Sequence, residues 1–305
     1  MKIGDKTLKS IEYRRLQLGF KEWLATLGYA ASTVYCLPRM LAEFLVWLEE
    51  NNYVEIKELT QDKAEDFMQY FKNRPNKLFS GGLSSSHINR QIDTIQRFVS
   101  YLKLTNQAEL NIVLKHIKAE AVSERDTLSK EEIKSLYSAT DETLIGIRDR
   151  AMLSVYYGCG LRRSEGLALE VSDVLFDRKL LHVRKTKTRY ERYVPVSLTC
   201  LQDLEHYIYF ARPLLLNDEQ PTEFLFISER GKEIEGQSLL SRLHALQKRT
   251  GDPDLEIKNI GMHTLRHSIA THLLQAGMEL EDIATFLGHR CLDSTQIYTH
   301  IINKL

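Results

Sequence analysis

The sequence predicts a mainly α-helical chain of two domains, the second carrying a small antiparallel β-sheet. Three features predict this. At 305 residues the chain exceeds a single typical core. Apolar residues recur at helical spacing over the first hundred residues and again toward the end. Between these regions the period changes to short β-branched and aromatic runs around a polar turn. On this reading residues 1–105 form an all-helical domain, 106–126 a linker, and 127–305 a mixed but mostly helical domain.

In the first domain, "STVYCLPRMLAEFLVWLEENN" places Leu37, Leu41, Phe44, Leu45 and Leu48 on one helical stripe. "SSHINRQIDTIQRFVSYL" does the same with Ile88, Ile92, Ile95, Val99 and Leu102. The Pro, Gly and Ser content of "NRPNKLFSGGLSSS" between them marks a loop. Four or so helices follow from this pattern. His87, Asn89, Arg90 and Arg97 lie on the polar side of the last one, where a solvated face or a DNA backbone would both be met.

From Lys103 to Arg125 the periodicity weakens and polar residues accumulate, which is the linker. A new helix opens at "TLSKEEIKSLYSA", where Ser129 and Glu132 have the spacing of a capping box. "VSDVLFDRKLLHVRKT" and "RYVPVS" then predict strands, with "TKTRYE" as the hairpin tip. After Leu198 the pattern returns to helix.

The composition, 43% hydrophobic and 27% charged with six prolines, excludes a chain dominated by disorder. No apolar run approaches the ~18 residues needed to span a membrane, and "MKIGDKTLKS" lacks the apolar core of a secretion signal, so a cytoplasmic protein is expected. Cys36, Cys159, Cys200 and Cys291 form no C-x-x-C pair, which argues against a zinc knuckle or a disulfide framework and for reduced, buried thiols. Net charge is zero. Positive charge is nevertheless concentrated in "RKLLHVRKTKTRYER", Arg178 to Arg192, with seven basic residues and one acid. That stretch reads equally as a solvated hairpin or a nucleic-acid contact.

The densest chemistry lies in "MHTLRHSIATH", Met262 to His272, with three of the chain's ten histidines and one arginine. His263 and His267 have the spacing of the histidines in H-E-x-x-H, but Thr264 stands where that motif has its glutamate. His272 falls about 140° further around the helix from His267. A metal site is therefore not expected, and the phosphate reading is preferred: His263 and Arg266, one turn apart, can converge on one anion. Leu265, Ile269, Leu273 and Ala276 would anchor the helix, and His267 and His272 would be structural.

Other stretches supply companions. "YYGCGLRRSE" sets Arg162 just after a Gly-x-Gly turn, with Glu165 placed to brace it. "FLGHRCLDSTQIYTHI" gives His289 directly after a helix-ending glycine and Tyr298 nine residues on. Lys187 sits at the hairpin tip, and Lys185, two residues away, would share its face.

The set Arg162, Lys187, His263, Arg266, His289 and Tyr298 resembles the tyrosine recombinases, the integrase and Xer-like site-specific DNA recombinases. The likeness rests on "GLRRSE", on "TKT" followed by "VPV", on "HTLRHSIATHLLQAG", and on "LGH" followed by "IYTHI". It covers the whole second domain; the first matches the family's core-binding domain only in size and position. The resemblance implies a C-shaped clamp with one domain on each side of a DNA duplex, in which the second domain is catalytic. It also implies roles. Tyr298 would attack the phosphodiester to form a 3′-phosphotyrosyl link, while Arg162 and Arg266 would hold the non-bridging oxygens. Lys187 would protonate the departing 5′ oxygen, chosen over Lys185 because the family lysine sits at the turn. His263 would assist proton transfer and His289 would donate to the phosphate. Glu165 would support Arg162, and Arg90, Arg97, Lys185 and Arg189 would contact DNA.

This chemistry suits those residue types. A phenol with pKa near ~10 is a poor nucleophile at neutral pH, and guanidiniums bind more strongly as negative charge builds on phosphorus. The covalent link conserves the bond energy, so neither metal nor cofactor is expected. The expected partner is double-stranded DNA with inverted half-sites, bound by a homo-tetramer that assembles on DNA, with room for accessory proteins. Only "THIINKL" follows Tyr298. A contact of Ile301, Ile302 and Leu305 is too small to associate four chains, which predicts a monomer in free solution. Two alternatives are a type IB topoisomerase, which shares the chemistry, and a helix-turn-helix regulator built on "IATHLLQAGMELEDIATFLGH". A regulator would have no use for Arg162 and Lys187.

Overall fold

The computed structural model describes residues 8–76, 81–118, 127–184, 191–217 and 221–288. The chain divides into two compact units, Met1–Ser123 and Glu124–Leu305.

The first unit is helical: α1 (Ile11–Thr26), α2 (Ala31–Glu50), α3 (Gln61–Asn73) and α4 (Ser85–Leu104). Ser10, Thr60 and Ser84 each accept a backbone N–H at the start of α1, α3 and α4, satisfying donors the helix cannot. Both apolar stripes read from the sequence are buried, and they meet Tyr13, Leu16, Phe20 and Leu24 of α1 in one core.

The segment expected to be a linker differs from that expectation. Leu110, Ile112 and Leu114 are buried in the helical core, and side chains of α3 and α4 bond the backbone around them. Gln61 both accepts from the N–H and donates to the C=O of Val113; Gln96 donates to the Leu114 carbonyl; Asn89 takes both groups of Ile117. Without strand or helix partners, this backbone finds its hydrogen bonds in amide side chains. Up to residue 118 the chain belongs to the first unit.

The second unit opens on α5 (Lys130–Ser138), whose capping box is closed by Ser129 and Glu132. It continues with α6 (Leu144–Leu153), a π-helical turn (Ser154–Gly158) and α7 (Arg163–Leu167). Strands β1 (Val174–Leu175), β2 (Leu180–Val183) and β3 (Arg192–Pro195) then form an antiparallel sheet in sequence order, with Val183 opposite Arg192. Five helices follow: α8 (Leu198–His206), α9 (Arg212–Leu215), α10 (Gly236–Arg249), α11 (Pro253–Glu256) and α12 (Met262–Gln275). Last comes α13 (Leu280–Leu287).

Two readings need correction here. The chain after Leu198 is not continuously helical: residues 221–235 run irregularly, with bridges Glu170 to Phe224 and Ile227 to Glu233. Buried Arg212 donates to the carbonyls of Thr222, Phe224 and Leu225, which no regular element satisfies. Cys36 is exposed on α2, whereas Cys159 and Cys200 are buried as expected; Cys291 lies outside the described residues.

Helix α12 also departs from its expected stripe. Met262 and Leu265 enter the main core, while Ala270 and Leu274 pack with Ile283 and Leu287 of α13; Ala276 is exposed. The helix lies between two apolar surfaces, so one stripe does not account for its burial. No described helix is long and apolar enough to cross a membrane.

Candidate active site

The site grows from a turn and a cap. Gly160 adopts φ +61°, and an added Cβ there would press on Leu287 and Phe286 of α13, so only glycine lets the turn close against that helix. Two residues on, Arg162 precedes α7. Glu165 reaches back to accept the Arg162 backbone N–H at 2.9 Å, and Arg162 Nη1 donates to Glu165 Oε1 at 2.8 Å.

Glu165 is fully buried and serves more than one arginine. Arg192, the first residue of β3, donates from both terminal nitrogens, one to each carboxylate oxygen, at 3.0 Å. Arg266 on α12 approaches to 3.9 Å. Burial pushes the Glu165 carboxyl up, but the hydrogen bonds and charge of Arg192, and then those of Arg162, bring it down to about 2. Three guanidiniums thus surround one carboxylate, leaving an excess of two positive charges in a largely buried place.

The arginines also grip the end of α13. Arg162 Nη2 donates to the Gly288 carbonyl at 3.0 Å and Arg266 Nη2 to that of Leu287 at 2.7 Å. Arg266 Nη1 donates to the Gly160 carbonyl at 2.5 Å. Helix-terminal carbonyls lack intrahelical donors and carry partial negative charge, so cations bind well there. Gly288, at φ +67°, ends α13 and immediately precedes His289 in sequence.

The six residues proposed from sequence to act together are thus placed unequally. Arg162 and Arg266 come together around Glu165. His263 is exposed in the first turn of α12, three residues before Arg266. Lys187, His289 and Tyr298, with Lys185 and Arg189, lie outside the described residues. The strands flanking the hairpin tip are braced: Asp173 accepts from Arg184 at 2.7 Å and faces His182 at 3.1 Å, and His182 faces Glu191 across the sheet at 2.5 Å.

In the first unit, Arg90 and Arg97 are exposed on α4. Arg97 lies over the Tyr29 ring at 5.3 Å and donates to its hydroxyl. Asn89 is spent on Ile117, and His87 stacks on Phe71. His272 meets the Tyr157 hydroxyl through Nδ1 at 2.9 Å; burial lowers its pKa below the usual histidine value, which favours the neutral ring. His267 is half-buried. Among the described residues no His, Cys, Asp and Glu side chains cluster as metal ligands.

Arg192 is the residue that sequence reasoning missed. The signal was there: Arg192, Val194 and Val196 alternate, and both valines are buried, so the arginine points to the same interior face. A charge on that face requires a buried partner.

The Phage integrase family model matches residues 126–304. Tyrosine recombinase XerC 2 of Ralstonia nicotianae is 30% identical over 300 residues, which cover 94% of this chain and 82% of that protein. Tyrosine recombinase XerD of Oceanobacillus iheyensis is 31% identical over 278 residues, covering 90% and 89%. A similar fold occurs in the crystal structure of XerH site-specific recombinase bound to its difH substrate before cleavage, with TM-score 0.74 and 19% identity over 100% of this chain and 98% of that one.

Proposed function

The chain belongs to the phage integrase family and is a DNA strand transferase of the tyrosine recombinase type; from that premise we propose that it cuts and rejoins DNA at specific sites through Tyr298. Tyr298 attacks the scissile phosphodiester, forming a 3′-phosphotyrosyl bond and releasing a 5′ hydroxyl; attack by a 5′ hydroxyl on that bond reseals the strand and frees the phenol. Arg162 and Arg266 hold the non-bridging oxygens, and their hold strengthens as charge develops on phosphorus. Lys187 donates the proton to the leaving 5′ oxygen, His263 assists the proton at the phenol, and His289 donates to the phosphate. Arg90, Arg97, Lys185 and Arg189 bind the duplex backbone.

The observation that carries this reading is the convergence of Arg162 and Arg266, distant in sequence, on one buried carboxylate with positive charge to spare. Both guanidiniums also reach the carbonyls that end α13, beside the residue that leads to His289, and cations held there with charge left over suit an anionic transition state. The substrate is double-stranded DNA with inverted half-sites in the cytoplasm. Four protomers assemble there on two duplexes.

The test is Tyr298→Phe on a nicked substrate that traps the covalent intermediate. Wild type gives a protein–DNA adduct on a denaturing gel, and the variant binds the same DNA within about twofold but gives none, because only the nucleophilic oxygen is lost. An adduct formed by the variant would assign the nucleophile elsewhere.

A further inference from the structure

We propose that Arg192 is a positioning residue for strand cleavage, and that it acts by neutralising Glu165 so that Arg162 and Arg266 keep their charge for the phosphate. The proposal rests on the reading of Arg162 and Arg266 given above. Glu165 is needed as a brace, since it holds both the backbone and the guanidinium of Arg162. It is also a hazard: a buried carboxylate beside two phosphate-binding arginines cancels the field they would offer an anion. Arg192 resolves the conflict. Its fork takes both oxygens of Glu165, which matches carboxylate geometry and leaves the pair neutral.

Arg192 comes from β3, whereas Arg162 precedes α7 and Arg266 lies on α12. It is held on a second side by Gly288, where a Cβ would lie 2.8 Å from Arg192 Nε. The strand that follows the hairpin tip is therefore packed against the residue that precedes His289. One guanidinium thus meets both the brace of Arg162 and the chain leading to His289.

A purely structural clamp and a charge-neutralising one respond differently to loss of the carboxylate charge. Arg192→Met keeps bulk and removes charge. It is expected to bind a half-site within about twofold of wild type but to form the covalent adduct at least about tenfold more slowly per folded molecule, because Glu165 now opposes the transition state. Adding Glu165→Gln removes that opposition, so the double variant cleaves at least about threefold faster than Arg192→Met alone. Arg192→Lys, which keeps the charge and loses the fork, stays within about threefold of wild type, and it provides the comparison should the methionine variant not fold. Wild-type adduct formation matched by Arg192→Met overturns the proposal. So does a double variant no faster than Arg192→Met, or a folded Arg192→Lys more than about tenfold slow. If wild type forms no adduct at all, it is the tyrosine reading that fails, not this one.

Discussion

Among the described residues of the second unit, two buried carboxylates each gather more than one arginine, and they differ in what surrounds them. Asp149 sits on α6 beside Arg148, its neighbour in sequence, and takes both Arg242 Nε and Nη2 on one oxygen at 2.9 and 2.6 Å. Arg148 sends its other arm to the Ile227 carbonyl, so this cluster ties α6, α10 and the irregular 221–235 stretch together. Glu165 collects arginines from three separate places in the chain, and two of those arginines also bind the carbonyls that end α13. The first cluster joins elements of the core. The second gathers charge beside the residue that leads to His289. The number of cations around a buried anion does not by itself mark a site; what those cations still face does.

The sharpest way to test the distinction is to remove one arginine from each cluster. Arg266→Ala is expected to reduce covalent adduct formation per folded molecule by about 10³-fold, since under the proposed mechanism it removes a donor to the transition state. Arg242→Ala should instead cost about 2–3 kcal/mol of stability, because Asp149 loses its forked partner, while cleavage per folded molecule stays within about twofold of wild type. Denaturant titration and the adduct assay on both variants decide it. Equal effects on cleavage would erase the difference between the clusters.

What the sequence disclosed of this arrangement follows the range of the interactions. The helices α2 and α4, the Ser129–Glu132 capping box and the hairpin were legible, because spacing along the chain dictates them. Arg162 and Glu165, three residues apart, were legible for the same reason. The fork from Arg192 was not, since it is a contact across 27 residues of chain and depends on how β3 meets α7. The burial of α12 on two sides was hidden too: a single apolar stripe was expected, and the helix lies between the main core and α13. The bonding of Val113, Leu114 and Ile117 to α3 and α4 uses amide side chains, which carry no periodic signature.

Acid titration gives a second test, of somewhat smaller size. The Glu165 carboxyl is held at about 2, below the usual 4.5, so the folded state favours its ionised form. Its contribution is complete above the ordinary carboxylate pKa and is lost as pH falls from there toward 2. The shift corresponds to about 3 kcal/mol. Wild type should therefore lose more stability than Glu165→Gln between pH 5 and pH 2, by about that amount. Parallel stability curves for the two would mean that the arginines do not hold the carboxylate as tightly as the geometry requires.

The smallest effect separates strain from function at two glycines that flank α13. Gly277, in the turn before it, and Gly288, at its end, both have positive φ, at +86° and +67°. Alanine is disfavoured in that region whatever the surroundings, so each substitution should cost about 1 kcal/mol of stability. Their surroundings differ. Nothing lies within 4 Å of a Cβ added at Gly277, whereas at Gly288 it would meet the Arg192 guanidinium at 2.8 to 2.9 Å. Gly277→Ala should thus lose stability and leave cleavage per folded molecule unchanged. Gly288→Ala must move Arg192 or bend the end of α13, whose carbonyl Arg162 binds, so it should slow cleavage by about threefold to tenfold at a similar cost in stability. Adduct formation that falls equally in both variants would trace the effect to α13 as a whole rather than to the contact between Gly288 and Arg192.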